Sequence, residues 1–271
     1  AKVRNHGVDL SIDYGKQISK DFTLQFKGTF TFARNKVLEY DEAPGLRPGM
    51  KTVGRRLNTF LGYVTNGLYE NYTDVEESPT STLGNIAISP GDIKYVDQPD
   101  ANGNYDGRIT SDDRVEIGDP WIPEIVYGFG PSMRWKNWDF SFFFQGQTNV
   151  SLIMENFEPF GERSARGVLA WIADDYWSPD YPNVNAKHPR LTRLTNNHNM
   201  QVSTYWLRDA SFLKLKNVEL GYSYKKARFY ISGSNLLTIS PFKHWDPEVG
   251  TGAGMQYPTQ RIFNLGIQMS F

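Results

Sequence analysis

The sequence predicts an all-β fold, a transmembrane antiparallel β-barrel, on three observations. Several segments alternate apolar and polar residues with a period of two, as strands with one apolar face do. These segments exceed the about five or six residues common in soluble sheets and approach the roughly nine to eleven that a bilayer requires. Short turns and very long connections alternate between them, which is typical of outer-membrane barrels.

Composition narrows the classes of function. The formal net charge is −1, from 29 basic and 30 acidic residues, so the charge gives no reason to expect a nucleic-acid partner. The mean hydropathy is −0.52 and no run of about 18 apolar residues occurs, so no transmembrane helix is expected. The chain has no cysteine, which excludes disulfides and thiol catalysis.

The first residues predict two long strands. Val8 to Gly15 alternate in polarity, a short polar turn covers 17–21, and a second alternating strand runs from Phe22 to Ala33. The sequence opens directly on this pattern without an initiator Met or a signal peptide, and we interpret it as beginning within a domain.

The pattern returns at residues 125–148 as a hairpin with a tight turn at Lys136 and Asn137. Trp135 and Trp138 bracket this turn, where the interfacial aromatic girdle of a membrane barrel belongs. The alternative is a pair of core tryptophans in a soluble hairpin.

Three further strands are predicted near 212–224, 227–235 and 260–271, and Lys225 and Lys226 form the turn between the first two. In the last strand Phe263, Leu265, Ile267, Met269 and Phe271 form a wholly apolar face.

Three long connections separate these strands, at 35–123, 149–204 and 236–259, and we expect all three on the extracellular side. Short strand-like pieces at 60–63 and 92–95 indicate that the first connection is folded, and a short helix is expected near 168–177. Seven strands cannot close a barrel in lipid, so the chain needs partner strands from the remainder of the same barrel.

Several segments resemble one family. They are GDIKYVDQPDANGNYDGRITSDDRVEIGDPWIPEIVYGF (91–129), WLRDASFLKLKNVELGYS (206–223) and the closing ISGSNLLTIS, DPEVG and YPTQRIFNLGIQMSF. In the expected order, these segments resemble blocks of the SusC/RagA family of TonB-dependent outer-membrane transporters. The opening VRNHGVDLSI resembles a strand of the same barrels, so the resemblance covers essentially the whole chain.

This resemblance implies the last seven or so strands of a plugged barrel of about 22 strands in the bacterial outer membrane. The plug, the N-terminal strands and the TonB-contacting segment would lie outside this chain. The family imports oligosaccharides or oligopeptides with a SusD-like lipoprotein as a lid, and TonB supplies the energy. Phe271 resembles the C-terminal recognition signal for barrel assembly. No enzymatic activity is expected.

A metal site is predicted in one loop. Asn102, Asn104, Asp106 and Asp113 supply side-chain oxygens, and Arg108 its carbonyl, at the alternate spacing of an EF-hand-like Ca²⁺ loop. Two Asn ligands, and Asp113 in place of the usual Glu, would weaken binding. The alternative is a metal-free turn rich in Asx residues.

Loop aromatics are the candidate substrate contacts. Tyr176, Trp177, Trp245 and Tyr257 could stack on sugar rings or on apolar side chains of a ligand, and the alternative for each is packing within the loop or contact with the lid. Two other functions stay open: a passive porin, and a surface β-sandwich that binds carbohydrate.

Overall fold

The computed structural model describes residues 1–155 and 167–270; the predicted assembly signal at Phe271 lies outside the described residues, as do 156–166 within the second connection. One antiparallel sheet contains all the long strands, and their order in the sheet is their order in the chain. These strands are β1 Lys2–Gln17, β2 Phe22–Glu39, β3 Ile125–Trp135, β4 Trp138–Thr148, β5 Phe212–Tyr224, β6 Ala227–Ile239 and β7 Ile262–Met269. The all-β prediction is confirmed. Among the described residues, no helix has the length and apolar character needed to cross a membrane.

The register of the sheet collects the apolar residues of all seven strands on one face. Leu10 lies opposite Phe30, which lies opposite Tyr127 on the next strand. Phe140 lies opposite Leu220, then Ile231 and Leu265. Because side chains alternate between the two faces of a strand, every second residue of each strand reaches the same surface. The predicted alternation therefore produces one continuous apolar face and one polar face.

A row of aromatic residues ends this apolar face beside the tight turns. Its members are consecutive cross-strand partners on β2 to β6: Phe22, Trp135, Trp138, Tyr222 and Phe229. The rings of Trp138 and Tyr222 are 4.7 Å apart, and both tryptophans are exposed. Such a row fits an aromatic girdle at a membrane interface and argues against tryptophans buried in a soluble core.

The apolar face has the height of a membrane. On β2 it runs from Phe22 to Phe32, roughly 33 Å along the strand at about 3.3 Å per residue. A strand tilted by about 45° converts this into about 23–25 Å, close to the apolar band of outer-membrane barrels. Polar residues flank the band at both ends.

The three long connections begin and end a few residues from the predicted bounds. β2 continues past Asn35 to Glu39, so the first connection is 40–124 rather than 35–123. The second is 149–211 rather than 149–204, and the third is 240–261 rather than 236–259. The polar residues Arg34 and Lys36 break the alternation in β2, although the ladder of hydrogen bonds persists. Ladder hydrogen bonds are made by the backbone and do not require an apolar side chain.

The connections contain short elements of their own. Four two-stranded sheets form between Phe60–Gly62 and Val115–Ile117, Thr65–Leu68 and Ile93–Tyr95, Thr80–Ser81 and Arg108–Ile109, and Ser151–Ile153 and Leu207–Asp209. The helices are Tyr72–Glu77 and Ala170–Asp174, with 3₁₀ turns at Pro48–Met50, Ser111–Asp113 and Pro247–Val249. The pieces predicted near 60–63, 92–95 and 168–177 are present in shorter form.

The buried core lies in these connections, because the sheet itself has one apolar face open. Its members come from all three connections and include Tyr63, Ile93, Tyr95, Ile109, Leu152, Ile153, Ile172, Trp206 and Phe242. The connections therefore form a folded mass at one end of the sheet.

Candidate functional site

The polar face of the sheet carries an ion cluster near the tight turns. Arg228 donates from Nε to Asp139 at 3.0 Å, from Nη2 to a second Asp139 oxygen, and from Nη2 to Glu219 at 2.5 Å. Gly221 lies beneath it, and a Cβ there would come within 2.5 Å of Arg228 Nη2 and of Asp139 Oδ2. The missing side chain provides the space in which the guanidinium binds both carboxylates.

Aromatic rings on this polar face lie over glycines of neighbouring strands. Phe143 covers Gly128 and Tyr230 covers Gly266, and a Cβ on either glycine would come within 2.7 Å of the ring. The glycines let large rings lie flat against the sheet.

A buried lysine joins the last connection to the polar face. Lys214 on β5 is fully buried, and its Nζ lies 2.6 and 2.7 Å from the carboxylate oxygens of Asp246 and 2.5 Å from Glu248. Lys216 binds the same Glu248 at 2.7 Å. Lys214 lies opposite Gln145, on the polar face. The last connection therefore folds inward over the end of this face.

The charge of this lysine clamp (Lys214, Lys216, Asp246 and Glu248) is balanced locally. Burial would raise the pKa of Asp246, but hydrogen bonds from Lys214 and from the Glu248 amide outweigh it and lower that pKa below its ordinary value. Burial would likewise raise the pKa of Glu248, but its hydrogen bonds to Lys214 and Lys216 outweigh burial and lower that pKa below its ordinary value. Both carboxylates are therefore ionised at neutral pH.

A buried carboxylate, Asp92, connects the first and second connections. Asp92 accepts hydrogen bonds from Arg190 at 2.7 and 3.0 Å, from Asn196 at 2.9 Å and from Asn199 at 2.8 Å. The amide of Ser89 donates to it as well, at 2.9 Å. A buried carboxylate satisfied in this way fixes the segments that supply its donors.

The predicted calcium loop holds a guanidinium between its carboxylates. Arg47 lies 2.5 Å from Asp106 and 2.7 Å from Asp113, and 3.8 Å from Asp97. Asp113 is fully buried and also accepts from the amides of Gln98 and Thr110.

The two predicted asparagine ligands serve the turn itself, since the amides of Asn102 and Asn104 donate to Asp100. Arg108 lies in a short strand beside Thr80. Within the described residues, no group of three or more His, Asp or Glu side chains is arranged to hold a metal ion. Calcium binding stays a prediction.

The four predicted contact aromatics differ in exposure. Trp177 is 7% exposed and belongs to the core, where its indole lies against Gly91. Tyr176 packs against the same core, and Trp245 donates to the carbonyl of Gly250 at 3.1 Å. Tyr257 is 80% exposed. Trp177, Tyr176 and Trp245 therefore share the core of the connections, and of the four Tyr257 is the one whose ring is openly available to a ligand.

A polar cleft in the folded connections was not predicted. It has a volume of about 490 Å³ and is lined by Asn66, Glu70, Asn71, Asp74, Glu77 and Asn185, with Lys94 paired to Asp74 at 2.5 Å. Amides and carboxylates of this kind bind hydroxyl groups and peptide groups through hydrogen bonds. The lining comes from residues 66–94 and 184–185, which are distant in sequence, so no local pattern indicates the cleft.

Comparison with known proteins agrees with this architecture. The chain is 27% identical over 305 residues to TonB-dependent receptor P3 of Formosa agariphila, covering 100% of this chain and 29% of the receptor. It is 26% identical to TonB-dependent receptor SusC of Bacteroides thetaiotaomicron, covering 99% and 26%. No family model matches.

Solved structures of the RagAB peptide transporter share the fold. One superposes with a TM-score of 0.73 at 24% identity, covering 99% of this chain and 29% of the other. Another, the RagAB peptide importer in its open-open state, gives a TM-score of 0.71 at 22% identity. The chain thus spans less than a third of the length of the proteins it matches. The chain is therefore similar in sequence to TonB-dependent receptors that include SusC and similar in fold to RagAB, and it matches the C-terminal part of a SusC/RagA-like receptor.

Proposed function

We propose that this chain forms part of the wall and outer vestibule of a TonB-dependent outer-membrane importer of oligosaccharides or oligopeptides, working with a SusD-like lipoprotein. The apolar face of the sheet contacts the lipid bilayer and the polar face lines the lumen. The folded connections surround the extracellular mouth. No covalent chemistry is part of this function.

The segregation of the two sheet faces carries the proposal. Seven neighbouring strands keep one face apolar from the aromatic row at the tight turns to the level of Val8 and Phe32, while the other face carries the Arg228 cluster. A soluble β-sandwich would bury such an apolar face against a second sheet. Here it is open, and many of its large residues are exposed, Leu265 at 83%.

The open edges of β1 and β7 support a role as part of a larger barrel. Each is hydrogen-bonded to one neighbour within the described sheet. Since backbone groups in lipid need partners, we propose that strands from the remainder of the barrel pair with both edges. The plug and the TonB-contacting segment then belong to that remainder.

Uptake by cells that produce the complete receptor tests the proposal. Fluorescent oligosaccharides and oligopeptides are supplied separately, and uptake is compared with and without TonB. The importer predicts uptake of one class that is lost without TonB and is reduced when the lipoprotein is removed. Uptake that persists without TonB would instead indicate a passive porin. A receptor that stays soluble and monodisperse without detergent would indicate the carbohydrate-binding β-sandwich.

A further inference from the structure

The apolar face changes abruptly to a basic surface at the long-connection end of β1 and β2. The pair Val8 and Phe32 is followed by His6 opposite Arg34, and then by Arg4 opposite Lys36. Because side chains two residues apart point to the same side of a strand, these four residues continue the apolar face beyond the apolar band. We name them the basic end of the hairpin.

Two of these cations have no counter-charge within the part of the chain that the structure describes. Arg34 binds Glu124 through two hydrogen bonds, of 2.9 and 2.6 Å, and the nearby Lys2 lies 3.1 Å from Glu39. Among the described residues, neither Arg4 nor Lys36 has an ion-pair partner, and both are exposed. Residues directly opposite in an antiparallel pair have Cβ atoms about 4.5–5.5 Å apart, and like charges in that position destabilise the pair. The arrangement becomes favourable when an anion lies between them.

The position of the pair indicates which anion. Arg4 and Lys36 lie four residues, roughly 13 Å along the strand, from Val8 and Phe32. An arginine fork and a lysine ammonium both bind phosphate, the first through two parallel hydrogen bonds and the second as a point charge. Below them, Val8, Leu10 and Phe30 offer an exposed apolar surface of the kind that acyl chains cover. A ligand with a phosphate at the basic end and acyl chains over the apolar band is an anionic lipid.

We propose that the basic end of the β1–β2 hairpin binds the phosphorylated headgroup of a lipid in the leaflet on the side of the long connections. Arg4 and Lys36 contact the phosphate, and Arg34 and His6 border it from below. This inference rests on the proposed membrane placement of the sheet. The lipid would occupy the position at which the folded connections meet the apolar band, beside Glu124 and Arg34.

Native mass spectrometry of the complete, detergent-purified receptor tests the site. The probes are lipid A with both phosphates and lipid A without phosphate. The test variant is Arg4→Gln/Lys36→Gln. The matched control, Lys16→Gln/Lys20→Gln, removes the same charge near the other end of the same hairpin. We expect the test variant to retain at least about tenfold less phosphorylated lipid than the wild type or the control. Phosphate-free lipid should bind weakly to all three.

Equal retention by the test variant and the wild type would overturn the proposal, and would follow if a carboxylate on the strand beside β1 neutralised the pair. Equal retention of the phosphate-free lipid would overturn it too. Complete displacement by excess inorganic phosphate would show an anion site rather than a lipid site. Failure of the transport proposal is distinct, because uptake would then lose its TonB dependence while lipid retention by the wild type persisted.

Discussion

Asp246 holds the last connection against the sheet, and its substitution by Ala should release that connection. The change removes two hydrogen bonds to the ammonium of Lys214, at 2.6 and 2.7 Å, and the cap on the amide of Glu248 at 3.0 Å. Lys214 is fully buried and, among the described residues, keeps Glu248 as its remaining ion-pair partner. Removing one member of a buried ion pair costs about 3–5 kcal/mol, and the remaining carboxylate places this site near the lower value, about 3 kcal/mol.

Hydrogen exchange at Gly252 measures this opening. The Gly252 amide donates to the carbonyl of Ile153 at 3.0 Å, so its protection reports whether the last connection stays docked on the second. A loss of about 3 kcal/mol corresponds to exchange roughly 100-fold faster. Lys243→Ala is the matched control, since Lys243 is an exposed residue of the same connection, and it should leave the exchange unchanged.

A double substitution gives a sharper test. The single substitution Asp246→Ala leaves the buried ammonium of Lys214 with one carboxylate instead of two. Adding Lys214→Met removes that buried charge, and Glu248 still pairs with Lys216 at 2.7 Å. We therefore expect the double variant to exchange more slowly at Gly252 than Asp246→Ala alone. Unchanged exchange in the single variant, or faster exchange in the double variant, would refute the reasoning.

Three further predictions address the clamp, the faces and the calcium loop. The pKa values of Asp246 and Glu248 are lowered in the folded protein, so the clamp should be intact above their ordinary pKa values of 3.8 and 4.5. It should weaken as the pH falls through the lowered pKa values of the folded protein, and hydrogen exchange at Gly252 from pH 7 to pH 3 measures this weakening. Phe142→Arg on the apolar face should cost about 2–4 kcal/mol in denaturant unfolding from lipid vesicles, whereas Ser141→Arg, on the polar face of the same strand, should cost at most about 1 kcal/mol; equal costs would contradict the assignment of the faces. Arg47→Ala should tighten Ca²⁺ binding in calorimetry, because it frees the carboxylates of the loop, and unchanged or absent binding would favour the metal-free turn.

The sheet was predictable because the alternation of apolar and polar residues within each strand shows which of its faces is apolar. Phe263 to Met269 alternate without exception, and the structure pairs them with β6 in the register that this alternation requires. The end of β2 was not predictable, because Arg34 and Lys36 occupy apolar-face positions beyond the apolar band. Polarity alone cannot distinguish a strand that has left the membrane from a loop.

The contacts among the connections were not predictable, because they join residues far apart in sequence. Trp177 is an aromatic loop residue in the sequence, and only the fold shows that Gly91 makes room for its indole in the core. The polar partners of Asp92 likewise lie around residues 190–199. Local patterns record whether a residue is suited to burial, but they do not record which distant segment buries it.

The lysine clamp connects the strand pairing of the sheet to the folding of the last connection. Lys214 occupies a polar-face position because the register of β5 with β4 places it opposite Gln145. Its burial then depends on Asp246 and Glu248, which belong to a connection with its own docking contacts at Ile153. A shift of register by one residue would turn Lys214 toward the apolar face and leave both carboxylates without it. The pairing of the strands therefore also determines how the last connection covers the polar face, and in the proposed importer it would set the shape of the mouth.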